Sequence, residues 1–167
     1  MTAQAIAGVS ASSESVVMTE YPSLAAGGIG QLLGSIYESI PLPLGLPKLS
    51  YIFALVTAPL GLLLYFLQKA FGERYVLTNR AVQVWTARTG RKVAAINLDD
   101  YDHIELDQRP GQVFYNAADL RFVGPNGDTK LRLKGVKDAG AFKNAIESMR
   151  TSRSMVRDSM ARIEGRG

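Results

Sequence analysis

A run of 20 uncharged residues, 49–68, is the feature that most constrains what this chain can fold into. Lys48 and Lys69 bracket the run, and aromatic residues lie near both of its ends. Twenty helical residues extend about 30 Å, which matches the hydrocarbon core of a bilayer. We therefore predict a transmembrane helix over residues 48–69. The alternative is a core helix of a soluble domain, although such helices usually have shorter uncharged stretches.

The distribution of charge divides the chain at this run. Residues 1–69 carry five charged groups, whereas residues 70–167 carry 17 basic and 12 acidic groups. Basic residues accumulate on the cytoplasmic side of membrane proteins. We therefore expect a single-pass protein whose C-terminal part is cytoplasmic and whose N-terminus lies across the membrane.

Two further segments precede the apolar run. Residues 1–20 are rich in Ala and Ser and lack the charged and apolar regions of a signal peptide, so we expect a flexible polar tail. Residues 21–47 have apolar side chains at helical spacing, which predicts an amphipathic membrane-associated segment. Gly27, Gly30 and Gly34 give this segment a small-residue face, and we expect that face to pack against another membrane helix.

Beyond residue 72 the apolar spacing changes from helical to strand-like. Thr89-Gly90 and Asn126-Gly127 are typical of hairpin turns between such strands. A final helix follows, with Phe142 and Ile146 directed toward the sheet. The pattern predicts an α+β fold of six or seven antiparallel strands closed by one C-terminal helix.

This half opens directly after the apolar run with the sequence Glu73-Arg74-Tyr75-Val76-Leu77-Thr78-Asn79-Arg80-Ala81-Val82. With the later stretch Leu98-Asp99-Asp100-Tyr101-Asp102-His103-Ile104-Glu105, it resembles the bacterial pleckstrin-homology-like (PH-like) domains of membrane proteins. The resemblance covers about residues 72–150. It implies a PH-like antiparallel β sandwich or barrel over residues 70–150, capped by a C-terminal helix and attached to the bacterial cytoplasmic (inner) membrane. Residues 151–167 then form an extended C-terminal helix or tail.

Three groups of residues are candidate contact sites. Arg88, Arg91 and Lys92 surround the first hairpin turn, and the resemblance implies that such loops meet lipid head groups or partners; the alternative is an ordinary solvated hairpin. Phe114 and Tyr115 lie in a polar loop, either as partner anchors or folded back onto the open end of the sheet. The apolar stripe of the last helix continues past the domain, which predicts docking on another protein or a frayed solvated helix, through Val156, Met160 and Ile163.

Catalytic chemistry has little support. The chain has no cysteine and one histidine, which excludes thiolate metal sites and zinc sites built from several imidazoles. His103 lies beside an acidic run that could bind a cation or supply paired carboxylates, but turn and exposed-strand positions explain the same residues, Asp99, Asp100, Asp102, Glu105 and Asp107. We expect no catalytic residues, no metal and no cofactor. Interspersed acidic groups also argue against nucleic-acid binding.

The function that we expect is that of a non-catalytic, membrane-anchored scaffold. It would serve as an accessory subunit of an integral membrane complex, such as a respiratory or photosynthetic one, with membrane lipids and other subunits as partners. The alternative is a lipid-sensing or stress-signalling module that binds anionic head groups through the basic hairpin. An enzyme that uses His103 and its acidic neighbours is the third hypothesis.

Overall fold

A computed structural model describes residues 14–38 and 49–164, apart from the side chains of residues 49–54, 160 and 164. The first strand and two helices are β1 (Val16–Glu20), α1 (Gly28–Glu38) and α2 (Leu49–Phe71), with a one-turn 3-10 helix at Leu24–Ala26 before α1. The elements that follow are β2 (Glu73–Thr78), β3 (Ala81–Thr86), β4 (Lys92–Asn97), β5 (His103–Asp107), β6 (Ala117–Val123), β7 (Thr129–Lys137) and α3 (Ala139–Glu164).

The strands form two antiparallel sheets, in the orders β1-β2-β3-β4 and β5-β6-β7. Both predicted hairpin turns are confirmed, because Gly90 and Gly127 adopt the positive φ angles, 59° and 78°, that such turns require. The core lies between the sheets and is closed by Phe142 and Ile146 of α3, both fully buried. The predicted antiparallel β fold with a C-terminal helix is therefore confirmed.

β1 corrects the interpretation of residues 1–20 as a flexible tail. Residues 16–20 pair with β2, from Val16 opposite Thr78 to Glu20 opposite Tyr75. The run of β-branched residues in Val16–Glu20 suits a strand. β1 precedes α1 and α2, whereas β2 follows them, so both flanks of the helices belong to one sheet. Residues 1–13 lie outside the described part.

The predicted amphipathic segment 21–47 is shorter and less regular than expected. Pro22 forms an isolated bridge with Val136. The α-helix begins only at Gly28, and residues 39–48 lie outside the described residues. Within residues 14–38 and 49–164, no helix is long and apolar enough to cross a membrane, so the transmembrane helix expected over residues 48–69 is not found.

α1 lies between α2 and the domain. Near the start of α1, the Gln68 amide of α2 donates a 2.7 Å hydrogen bond to the Ser23 carbonyl oxygen. Near its end, the Tyr37 hydroxyl of α1 and the Thr57 hydroxyl of α2 share a 2.5 Å hydrogen bond. The two helices therefore run side by side in opposite directions.

Candidate functional site

The outward surface of α2 is almost wholly apolar. A narrow stripe of partly buried residues, at helical spacing, faces the rest of the protein: Thr57, Gly61, Leu64 and Gln68. Large side chains on the other faces are exposed, up to 76% for Leu55. A helix that exposes apolar residues over most of its circumference is typical of contact with lipid or with another apolar surface, because soluble monomers rarely expose patches of this extent.

The C-terminal end of α2 is surrounded by aromatic and basic groups. The Lys69 ammonium lies 5.9 Å and 5.8 Å from the ring centres of Tyr21 and Tyr65. Tyrosine rings beside lysines are common at the boundary between lipid and water, where the ring lies among head groups and the amine reaches water. This end of α2 thus has the chemistry of a membrane interface.

The basic hairpin lies beside the same end of α2. The Arg88 guanidinium lies 5.5 Å from the ring centre of Phe71, the last residue of the helix. The Ala87 amide donates a 2.8 Å hydrogen bond to the Gly72 carbonyl oxygen, which fixes the strand to the helix end. Arg88, Arg91 and Lys92 are all exposed. Of the three predicted head-group residues, Arg88 is therefore next to the apolar surface of α2, and Arg91 and Lys92 follow it in the same hairpin.

The glycine face of α1 does not face another membrane helix. A Cβ atom on Gly30 would lie 1.9 Å from the Leu24 carbonyl oxygen, and one on Gly34 would lie 2.1 Å from that of Gly111. Gly27 is exposed and makes no comparable contact. The expected close packing is present at Gly30 and Gly34, but its partners are this chain's own backbone.

The loop between β5 and β6 packs against α1. Glu38 accepts hydrogen bonds from the backbone amides of Phe114, at 2.5 Å, and Gly111, at 3.4 Å. The Phe114 ring lies 4.7 Å from that of Tyr37 and 5.1 Å from that of Tyr115, measured between centroids. Of the two interpretations for these aromatics, folding back is nearer to the structure, although they fold onto α1. Phe114 remains 40% exposed.

A buried carboxylate, that of Asp119 in β6, lies under this loop. Asp119 is only 1% exposed because the loop and the Arg132 side chain cover the outer face of β6. It accepts hydrogen bonds from the Gln112 amide, at 2.6 Å, and from the Gly135 backbone, at 2.8 Å, and it pairs with Arg132 at 2.8 Å. Alternation distinguishes the two faces of a strand but cannot show that a loop covers the outer one.

The region around His103 has the features of an ordinary surface. Its imidazole lies 2.8 Å from an Asp102 oxygen and 3.3 Å from a Glu105 oxygen, and all three side chains are largely exposed. The hydrogen bond to Asp102, followed by that to Glu105, raises the pKa of His103 above its usual value. Within the described part of the chain, no group of three or more His, Asp or Glu residues could hold a metal ion.

α3 is fixed to the domain by arginines and then extends beyond it. Arg150 donates 2.8 Å hydrogen bonds to the carbonyl oxygens of Tyr101 and Asp102, and its guanidinium lies over the Tyr101 ring. Burial raises the pKa of Tyr101 to about 12, an effect that the nearby Arg150 partly opposes. Further along α3, Val156 and Ile163 are exposed, and the Met160 side chain lies outside the described part. The predicted docking stripe is thus accessible at two of its three positions.

Two antiparallel sheets closed by a C-terminal helix, with a basic hairpin at one end, define a PH-like module. The family described as the bacterial PH domain matches residues 25–150, and the chain belongs to this family. The match starts upstream of α1, so it includes both apolar helices as well as residues 72–150, which carry the sequence resemblance. No curated protein and no solved structure matches the chain.

Proposed function

We propose that this protein is a non-catalytic, membrane-anchored PH-like scaffold that serves as an accessory subunit of an integral membrane complex. The observation that carries the proposal is the exposed apolar surface of α2, which is joined to the domain by hydrogen bonds and side-chain packing. Exposure of this surface to water would be unfavourable by about 25 cal/mol for each Å² of apolar area. Contact with lipid removes that cost.

The location follows from charge. The 17 basic residues that follow residue 69 favour the cytoplasmic side of a bacterial inner membrane for the domain. A scaffold role is supported by the exposed Val156 and Ile163 on the part of α3 that extends beyond the domain. A respiratory or photosynthetic complex is the host that we propose for it.

A matched pair of variants tests both parts of the proposal. Leu63→Lys changes α2 and Val156→Lys changes α3, at side chains that are 56% and 55% exposed. A lysine buried in hydrocarbon costs up to about 3 kcal/mol, so we expect Leu63→Lys to reduce binding to phosphatidylcholine–phosphatidylglycerol vesicles at least tenfold in a flotation assay. Val156→Lys should bind vesicles normally.

The second measurement is co-purification, in which Val156→Lys is the variant that we expect to be impaired. After extraction in mild detergent, the wild-type chain should co-purify with a membrane subunit in stoichiometric amount, and Val156→Lys should lose that subunit. Equal vesicle binding by Leu63→Lys and the wild type would refute the membrane anchor. A wild-type chain that purifies as a lone monomer would refute the scaffold role.

A second candidate function is recognition of anionic lipid for sensing or stress signalling. The specific observation in its favour is the position of Arg88, whose guanidinium lies over Phe71 at the end of the apolar helix. Flotation with neutral and anionic vesicles separates the two functions. A scaffold held by apolar contact binds both kinds of vesicle, whereas a sensor binds only the anionic kind.

A further inference from the structure

We propose that α2 lies along the membrane surface within a single leaflet, and that the chain enters and leaves the membrane on the same side. This inference rests on the proposed membrane anchor and adds its orientation and depth. It follows from the contacts that hold α1 and α2 against the domain. The occupant of the apolar surface is then a phospholipid leaflet, and the membrane plane runs roughly parallel to α2.

Both ends of the helical pair are attached to the domain. Before α1, the Ser23 amide donates a 2.8 Å hydrogen bond to the Gly135 carbonyl oxygen in β7, and β1 is paired with β2. After α2, the chain enters β2 within two residues. A crossing between these two points would have to be followed by a second crossing in the opposite direction, so the flanks lie on one side of the membrane.

The domain also contacts α1 along its length. At the start of α1 the contact is Ser23 with Gly135, and at the end it is Glu38 with the backbone amides of Gly111 and Phe114. The close approach of Gly34 to Gly111 lies between them. α1 therefore packs along its length against the surface of the domain.

α2 in turn packs lengthwise against α1. Its contacts with the α1 segment run from Gln68, at the Ser23 end, to Thr57, at the Tyr37 end. Eleven residues of helix between these contacts cover about 16 Å, more than half the hydrocarbon thickness of a bilayer. If α2 stood across the membrane, α1 and the β5–β6 loop would enter the hydrocarbon with it. That loop includes the exposed Arg109 and covers the buried Asp119, which are costly groups to place in lipid.

The surface on the outer side of α2 fits one leaflet. Apolar side chains face outward along the described part of the helix, from residue 55 to its end, among them Leu55, Leu62 and Phe66. The Arg88 guanidinium of the hairpin lies at the C-terminal end of α2, over Phe71, where it can meet anionic head groups while the helix is immersed. Interfacial helices of this kind lie about 5–10 Å deep, at the boundary of head groups and acyl chains.

The natural absence of cysteine makes a direct test possible. Single cysteines replace Leu55, Leu62 and Phe66 on the outward face of α2, and each is labelled with an environment-sensitive fluorophore. The full-length variants are reconstituted into phosphatidylcholine–phosphatidylglycerol vesicles that contain lipids with a nitroxide near the head group or near the end of the acyl chain. We expect all three labels to be quenched to a similar extent, and more strongly by the shallow nitroxide.

A second pair of variants tests whether the segments before α1 and after α2 lie on the same side of the membrane. Val16→Cys reports on β1, and Asn144→Cys, at an exposed position of α3, reports on the domain that follows α2. A membrane-impermeant maleimide should react with both or with neither in intact bacterial spheroplasts, and with both after lysis.

Each outcome has a separate meaning. Reaction at only one of Val16→Cys and Asn144→Cys, or strongest quenching of the Leu62 label by the deep nitroxide, would overturn the one-leaflet arrangement while the membrane anchor stands. No quenching of any label by either lipid would overturn the anchor itself. Thermal unfolding of each variant confirms that the fold is intact.

Discussion

At the residue scale, the buried Asp119 connects three parts of the molecule. From its position in β6, the carboxylate joins the β5–β6 loop through Gln112 and strand β7 through the Arg132 side chain and the Gly135 backbone amide. The carbonyl oxygen of Gly135 in turn accepts the hydrogen bond from Ser23, at the start of the helical pair. One carboxylate therefore supports the platform on which α1 lies.

Replacement of Asp119 by alanine should strongly destabilise the domain. The change leaves the Gln112 amide and the Arg132 guanidinium without their buried partner, and breaking a buried pair in this way costs about 3–5 kcal/mol. The matched control is Asp128→Ala, because Asp128 pairs with Lys130 at 3.1 Å on the exposed surface, where a pair contributes about 1 kcal/mol or less. Urea unfolding measures both free energies. Equal losses in the two variants would contradict the structural role of Asp119.

At the element scale, the sequence predicts strands and turns better than it predicts what covers them. The turns at Gly90 and Gly127 follow from local backbone preferences, and both are present. β1 was missed because an Ala- and Ser-rich composition suggests a tail, although Val16-Val17-Met18-Thr19 is a strand-like run that could have revealed it. The partner of that run is some 60 residues away, across the apolar segment, and no local pattern identifies such a partner.

The glycines of α1 illustrate the same limit. Their spacing indicates close approach, and Gly30 and Gly34 do make close approaches. The spacing contains no information about the partner, which is the backbone of the 3-10 helix and of the β5–β6 loop. Likewise, the pairing of Glu38 with the amides of that loop joins residues more than 70 positions apart. Contacts between residues so far apart in the chain cannot be predicted from local sequence patterns and become visible only in the structure.

Addition of a methyl group at Gly34 should separate α1 from the loop. The new Cβ would lie 2.1 Å from the Gly111 carbonyl oxygen, so we expect Gly34→Ala to cost about 1–3 kcal/mol of stability. Hydrogen exchange at the Phe114 amide, which Glu38 protects, should become faster. Gly61→Ala is the control, since no atom lies within 4 Å of its added Cβ and alanine favours a helix by up to about 1 kcal/mol. Unchanged exchange at Phe114 in Gly34→Ala would show that the contact does not hold the loop.

At the scale of the whole molecule, the two ends differ in chemistry. The apolar helix α2 and the basic hairpin lie together at one end, where Arg88 meets Phe71. The distal part of α3 is held near the opposite end of β2, where Arg153 donates a 3.2 Å hydrogen bond to the Arg80 carbonyl oxygen. Under the proposed function, the first end contacts lipid and the second a protein partner. The position of basic groups, and not their number, should then determine lipid binding.

Two triple variants, each of which removes three positive charges from a different end of the molecule, test this difference between the ends. The first replaces Arg88, Arg91 and Lys92 by alanine at the hairpin, and the second replaces the distal residues Lys130, Arg157 and Arg162. Each basic group near an anionic surface contributes about 1 kcal/mol, so the hairpin variant should bind phosphatidylglycerol-containing vesicles up to about 100-fold more weakly at low salt. Its binding to neutral vesicles should not change, because α2 is intact. The distal variant should bind both kinds of vesicle like the wild type, since its charges lie farther than a Debye length of about 10 Å from the membrane. Equal losses in the two triple variants would mean that overall charge attracts the protein to the membrane and that the hairpin has no special place in binding.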